Sequence, residues 1–446
     1  MLLGAILRFY RLPQMANFDF DQQYASNFAY SVLKEYPLQL IGQGLSIQGL
    51  FMGPLYFYYL VPFYAVTNLH PIGGFVGSVI LGLITIFIYF WVAKKMFGVA
   101  AGITAAFLRA ILFSFIEIDW TLTPAFSSDI IVILISYFLY NYWQGKIYYL
   151  IPLAFCFGLF TSFHPILIPF YLVFVVIFLI KRSVPNFRIL TLCILAFIIP
   201  IIPLIIFEYL HNFLEIKELF ALVGDIGGEK NYLEAFTNNL KINLYEPYRI
   251  LGIRHIPIVP FTLFLFTSLM ILISARISFW KNNFHATFLL LTFIIFLIYY
   301  TFFPANISEY YFSGTTILIT FYTICSLALL IKKRLPLFLV ILVFISFSNF
   351  TLIQDKWNDQ FLTTLYHKDF IVKEVLKRQD PNQEFYVSYI KHLGWDFGFE
   401  YLFKAYGRIP QKIEAKTPVY TIVIPKSLAE DSIDIVSGDI GLILPK

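Results

Sequence analysis

The sequence predicts an all-α polytopic membrane protein, with about 11 transmembrane helices and a small C-terminal extracytoplasmic α/β domain. Three observations carry this. Of 446 residues, 59% are hydrophobic and 13% charged, where a soluble domain carries about 25% charge. Apolar runs of roughly 17–20 residues recur, the length that crosses a ~30 Å hydrocarbon core. The pattern then changes after residue 352 to short alternating and amphipathic segments. The formal charge of +5 is small, so its placement matters more than its sum. Cys156, Cys193 and Cys325 sit far apart within apolar runs and read as core residues rather than a disulfide framework or a zinc site.

In chain order, spans are expected near 1–12, 75–93, 99–116, 126–143, 147–163, 165–180, 189–207, 256–275, 284–303, 312–331 and 335–352. The 147–180 region also reads as one long bent helix. Met1 to Leu7 has neither a basic n-region nor a small-residue cleavage site. The first apolar run, Met1 to about Tyr10, is too short to span, so the first helix is expected to be truncated or to start before residue 1. Basic turns fall between alternate spans: Lys94 and Lys95; Lys146; Lys181, Arg182 and Arg188; Arg276 and Lys281; Lys332 to Arg334. All five share one side if residue 1 is cytoplasmic, as the positive-inside rule requires. The opposite turns, Glu117 to Thr123 and His164, hold no Lys or Arg.

The other face then carries three larger pieces beside the transmembrane domain 1–352. Loop 13–74 holds an acidic pair and the apolar run Pro54 to Val66, which is too short to span and is expected to lie in the interface, where Tyr and Phe prefer to sit. Loop 208–255 is of mixed charge, with Gly224, Gly227 and Gly228 and a basic end at Arg249, Arg254 and His255. The tail, 353–446, reads as helix over His367 to Gln379, strand over Phe385 to Ile390, helix over Phe397 to Tyr406 and strand over Val419 to Ile424.

The chemistry-bearing candidates start with Asp19 and Asp21. In an extended loop they point the same way; on a helix they diverge by about 200°. One reading is a helix cap, where Asp satisfies free N–H groups and meets the positive dipole end. The other is a general base at the membrane surface, since acids near lipid persist where something uses them. His164 is either a hydrogen-bonded structural residue or a contact to substrate. Arg8, Arg11, Arg249, Arg254 and His255 either snorkel or hold an anion. Arg109 lies mid-span, where a lone charge is expensive, and Asp129 on the next helix is its candidate partner. Glu309 and Tyr310, opening a late span, are belt residues or cavity-lining ones. No Walker loop, GxGxxG or HExxH is present, which leaves nucleotide-driven and zinc-protease readings without support.

Several segments in order carry a resemblance. They are Arg8 to Leu12; Phe18, Phe20, Asp21 and Gln22; Gly53 to Tyr58; Lys94 to Gly98; Trp120 to Pro124; Gly158 to His164; Glu309 to Phe312; and Trp395 to Gly407. Together they resemble the GT-C glycosyltransferases, in particular bacterial relatives of the dolichyl-phosphate-mannose–protein mannosyltransferases and the lipid A aminoarabinose transferase. The resemblance covers nearly the whole chain. It implies a GT-C-like fold in a bacterial plasma membrane. It also implies an inverting hexosyl- or pentosyltransferase that moves a sugar from a polyprenyl-phosphate donor to a lipid, glycan or protein acceptor on the extracytoplasmic face. Asp21 matches the family's acid in the first outer loop, its catalytic base. Many relatives have Asp-Glu where this chain has Asp21 and Gln22, so a second acid, if needed, falls to Asp19.

The chemistry fits a single carboxylate. Glycosidases need two because the leaving alcohol must be protonated, whereas a polyprenyl phosphate leaves as an anion and only the acceptor hydroxyl needs a base. The donor requires positive charge for its phosphate, from among Arg8, Arg11, Arg249, Arg254 and His255, with His164, Glu309 and Tyr310 as sugar or phosphate contacts. No cofactor is implied; a divalent metal is compatible with this chemistry, but no ligand pattern indicates one. Membrane lipids are partners and nucleic acid is not. The alternatives are a multi-pass lipid or glycan transporter, which usually shows repeat halves and midplane charges, and a GT-C-like protein without activity.

Overall fold

The computed structural model describes residues 1–45, 47–224, 231–253, 284–303, 307–360, 362–380, 383–411 and 419–445. The expected span 256–275, together with Gly227, Gly228, Arg254, His255, Arg276 and Lys281, lies outside these residues. The described chain is mainly helical. It opens with α1 (Leu2–Phe9), α2 (Leu12–Met15) and α3 (Phe20–Lys34), followed by α4 (Leu55–Val66) and α5 (Ile72–Phe97). Then come α6 (Val99–Ile111), α7 (Phe113–Thr121), α8 (Asp129–Trp143), α9 (Leu150–Phe163), α10 (Pro169–Lys181) and α11 (Phe187–Leu210). Helices α12 (Leu214–Gly224) and α13 (Tyr232–Ile250) precede α14 (Phe284–Phe302), α15 (Ser313–Lys333) and α16 (Leu335–Asn358).

Among the described residues, five helices are long and apolar enough to cross a membrane, and six if α6 and α7 are taken as one bent span. Helices α4, α9 and α10 are apolar but shorter. Region 147–180 is broken at His164, which is extended and followed by Pro165, so it forms two helices rather than one.

The α6–α7 bend of 59° is held by side chains. Asn349 Oδ1 accepts the Phe113 N–H at 2.8 Å, and its Nδ2 donates to the Leu251 carbonyl at 2.9 Å. That amide pairs backbone groups which in lipid would have no water to turn to. The bend brings Asp119 back over Gly82, where a Cβ would lie 2.4 Å from the carboxylate.

Asp119 thereby joins a buried network of four charges. It accepts from Arg8 Nε at 2.6 Å and from both terminal nitrogens of Arg109 at 3.1 Å. Arg109 Nε reaches Asp129 at 3.0 Å, so the pair expected from sequence forms, with Asp119 added. The remaining Arg8 donors go to the carbonyls of Gly4, Ala110 and Arg109. Two cations and two anions cancel, and every guanidinium edge has an acceptor, which is what makes buried charge tolerable.

The tail contains α17 (Leu365–Arg378), β1 (Tyr386–Lys391), α18 (Phe399–Ala405), β2 (Val419–Ile424), β3 (Ile435–Ser437) and β4 (Ile440–Ile443). The sheet order is β1-β2-β4-β3, with β1 and β2 parallel, β2–β4 and β4–β3 antiparallel. A parallel pair needs a crossover, which α18 supplies. The hairpin β3–β4 turns on Gly438, whose φ of +60° suits a two-residue loop.

Candidate active site

The segment Phe18 to Gln23 separates its two acids by helical geometry. Asp19 is the N-cap of α3, and Gln22 Oε1 accepts its N–H at 2.9 Å in a capping-box arrangement. Its carboxylate faces the tail, where Lys368 Nζ donates to Asp19 Oδ1 at 2.8 Å and to the carbonyls of Phe18 and Phe397 at 2.7 and 2.8 Å. Burial pushes the Lys368 amine down, and Asp19 opposes that. Asp19 is thus a cap and a docking point. The capping reading applies to Asp19.

Gln22 supplies what a glutamate in its place could not. Besides accepting from Asp19, its Nε2 donates to the Thr121 carbonyl and the Thr123 hydroxyl. Gln23 Oε1 accepts the N–H of Gly398, a residue at φ +94° whose Cβ would meet the Phe18 carbonyl at 2.7 Å. Tyr401 donates to the Leu69 carbonyl at 2.7 Å. The Trp395 to Gly407 motif is therefore where the tail bolts onto the acidic loop.

As the second residue of α3, Asp21 lines a cavity of about 840 Å³. Gln43 Nε2 donates to Asp21 Oδ1 at 2.6 Å. Gln43 is held in turn by the loop 42–53, where Gly42 N–H reaches Met52 O and Met52 N–H reaches Gln43 O. The walls are mostly apolar and aromatic, among them Tyr24, Phe126, Leu219, Tyr299 and Phe303. His164 and Tyr310 line the same space. His164 sits in the turn between α9 and α10 with its ring 5.7 Å from that of Tyr310. Its Nδ1 accepts the Ile166 N–H, and burial pushes its pKa down to about 4. It offers a hydrogen bond to a ligand rather than a charge.

Glu215 was not singled out from sequence and also lines this cavity. Glu208 caps α12 by accepting from the backbone N–H groups of Glu215 and Ile216 at 3.0 and 3.3 Å. The Glu215 Oε1 is buried with no hydrogen-bond partner among the described residues, and the Phe51 backbone lies against the carboxyl group. Burial, with Glu208 adding repulsion, pushes its pKa up to about 7. Gln43 comes from the loop 42–53 and Glu215 from the first turn of α12, and no sequence motif announces either.

The proposed phosphate ligands disperse. Arg8 is fully buried in the ion network with all its donors engaged, which corrects its assignment as a donor ligand. Arg11 stands at φ +55° on the surface and donates to the Trp357 carbonyl at 2.8 Å; it does not line the cavity. Arg254 and His255 lie outside the described residues. Arg249, paired with Glu246 at 2.7 Å, lines a second, smaller cavity of about 250 Å³ together with Glu309. Tyr310 and Phe126 border both cavities, with their rings 6.1 Å apart. Among the described residues no cluster of three or more His, Cys, Asp or Glu could hold a metal ion.

No protein-family model matches the chain, and no curated protein sequence matches it significantly. Solved structures do. ArnT from Cupriavidus metallidurans, bound to undecaprenyl phosphate, superposes with a TM-score of 0.61 at 10% identity, covering 99% of this chain and 96% of that one. Its apo state gives the same values. The archaeal oligosaccharyltransferase AglB from Archaeoglobus fulgidus, in complex with an inhibitory peptide and a dolichol-phosphate, superposes with a TM-score of 0.51 at 12% identity, over 100% of this chain and 73% of that one. On this likeness the chain has the fold of the GT-C membrane transferases.

Proposed function

We propose that the chain is an integral-membrane glycosyltransferase that uses a polyprenyl-phosphate-linked sugar, with Asp21 as the general base. The observation that carries the reading is a single carboxylate, fixed by Gln43 at 2.6 Å, on the wall of a large apolar cavity. That cavity occurs in a fold shared with proteins solved bound to undecaprenyl phosphate and dolichol-phosphate. The apolar walls suit a prenyl chain, and the acid suits an acceptor hydroxyl. Asp21 takes the hydroxyl proton as the oxygen attacks the anomeric carbon; the carbon–oxygen bond to phosphate breaks, and the phosphate leaves with its electron pair. One displacement inverts the anomeric centre. Arg249, across Tyr310 from Asp21, is the described candidate for balancing the phosphate charge.

The helix ends support an extracytoplasmic site. Lys94, Lys95, Lys146, Lys181 and Arg182 sit at one set of ends, and the cavity-lining segments 123–126 and 161–168 sit at the other. By the positive-inside rule the cavity opens extracytoplasmically.

The test is donor-dependent transfer by purified protein in detergent, where no gradient exists. A transferase gives product there, and Asp21→Asn abolishes it while membrane expression is unchanged. A transporter gives no product. Transfer by Asp21→Asn at the wild-type rate refutes the mechanism.

A further inference from the structure

Asp21 is oriented by Gln43 at 2.6 Å, and Gln43 belongs to a segment with little structure of its own. Residues 42–45 and 50–53 pair as a short hairpin. The Met52 N–H reaches the Gln43 carbonyl and the Leu45 N–H reaches the Leu50 carbonyl, both at 2.8 Å. These bonds flank the antiparallel Gly44–Phe51 pair, so the backbone groups of Phe51 point away from Gly44. A lone two-stranded hairpin is marginally stable at best. The position of Gln43 therefore depends on what the hairpin is fastened to.

One fastening is to α9, where the Gly53 N–H reaches the Thr161 carbonyl at 2.8 Å. The others are to α11 and α12. The Glu215 carboxyl group takes a hydrogen bond from the Phe51 backbone, on the side that the hairpin ladder leaves open. Three residues on, Glu218 covers Gly49, where a Cβ at φ +81° would lie 2.7 Å from the Glu218 Cγ. The Phe51 ring packs edge-on to Phe207 of α11 at 5.6 Å. Glu215 is held in turn by Glu208, which accepts its N–H and that of Ile216. Between them the chain reverses through Asn212 and Phe213, at φ +56° and +59°. Two left-handed residues in succession, neither a glycine, are a strained connection that persists where surrounding contacts over-determine it. Burying the Glu215 carboxyl with Oε1 unpartnered among the described residues is costly to α12. What the arrangement provides is a fixed acceptor for Phe51.

Resting on the transferase reading above, we infer that Glu215 is a positioning residue for Asp21. By holding the Phe51 backbone it fixes the hairpin that presents Gln43, and Gln43 sets the direction in which the base meets the acceptor hydroxyl. Proton transfer needs the two within about 2.6–3.2 Å, and a misplacement of about 1 Å can lower a rate about a hundredfold.

The test uses full-length protein in lipid nanodiscs and has two arms. In the first, amide hydrogen exchange is followed by mass spectrometry. Glu215→Leu, which removes the acceptor, should speed exchange over residues 42–53 about tenfold, the equivalent of one lost hydrogen bond. Glu215→Gln, which keeps a carbonyl acceptor, should restore it to within about threefold of wild type. Glu215→Ala replaces the leucine variant if that one misfolds. The second arm reads undecaprenyl phosphate released from synthetic undecaprenyl-phosphate-linked glucose, galactose, mannose and arabinose, with host membrane lipid extract as acceptor. Glu215→Leu should lower kcat about tenfold with donor KM within about twofold, and Glu215→Gln should rescue it. In a Gln43→Ala background Glu215→Leu should lower kcat no further, because both act through one contact. Wild-type exchange over the hairpin in Glu215→Leu overturns the inference, and so do kcat losses that multiply in the double variant. A lower melting temperature with unchanged kcat also overturns it, by reducing Glu215 to a support for α12. If the wild type releases no undecaprenyl phosphate while exchange responds as expected, the transferase reading fails and the tie from Glu215 to the Gln43 hairpin stands.

Discussion

Replacing Asp119 with Asn tests the buried network that seats the site. Asp119 takes three charge-assisted hydrogen bonds, one from Arg8 at 2.6 Å and two from Arg109 at 3.1 Å, and both arginine side chains are at most 1% exposed. The asparagine leaves two buried guanidinium groups facing Asp129 alone, a net positive charge where the wild type has none. Removing one partner of a buried ion pair costs about 3–5 kcal/mol, and the membrane offers no solvent to relieve it. With ~2.1 cal/mol/K of unfolding entropy per residue, that corresponds to a melting temperature lower by about 3–5 °C for a chain of this length. Thermal unfolding of purified protein in detergent reads it. A second substitution gives the sharper check. Arg8→Met with Asp119→Asn restores neutrality, leaving Arg109 with Asp129, so the double variant should lose less than the sum of the singles by about 1–3 kcal/mol. Additivity within about 0.5 kcal/mol would refute the claim that these charges act as one neutral unit. Transfer should fall in the single variant too, because α7 carries the Thr121 carbonyl that receives Gln22.

Three further outcomes follow. Lys368→Met should release the tail from the acidic loop, because it removes three hydrogen bonds and leaves the carbonyls of Phe18 and Phe397 unanswered. The expected loss is about 2–3 kcal/mol, with faster amide exchange over Phe18 to Gln23 and reduced transfer. Asn349→Leu should destabilise the α6–α7 bend, leaving the Phe113 N–H and Leu251 carbonyl without that partner, and lower the melting temperature without altering expression. Glu215 gives a pH signature. Its pKa is pushed up from 4.5 to about 7, so the folded state favours the protonated acid. That stabilisation is fully present below pH 4.5 and is lost as pH rises to about 7. Over this window the melting temperature of the wild type should fall relative to Glu215→Gln; a constant difference from pH 4.5 to 8 refutes the assignment.

Much of the fold is legible in the sequence because lipid imposes simple rules. Apolar length and basic turns mark the helices and their ends, and β2 falls where alternation places it, at Val419–Ile424. Strands β3 and β4 are too short, at three and four residues, to show a period. The Arg109–Asp129 pair is legible because a mid-span Arg demands an acid. Arg8 is the opposite case. Its sequence position beside an acidic loop suggests an anion ligand, and only the 59° bend after α6 reveals that Asp119 comes back to meet it. That Asp19 is the cap depends on where α3 starts, one residue after it. Gln43 and Glu215 reach the cavity through tertiary contacts, a signal no local pattern holds.

The most direct measurement of the central claim is mass spectrometry of lipid that copurifies with wild-type protein and with Asp21→Asn. If the cavity beside Asp21 holds a polyprenyl-phosphate-linked sugar and Asp21 is needed to consume it, the sugar-bearing lipid will be enriched in the variant, and the wild type will carry more of the sugar-free phosphate. Absence of any polyprenyl phosphate species from both proteins, or equal loading with the same sugar-bearing lipid, would contradict it.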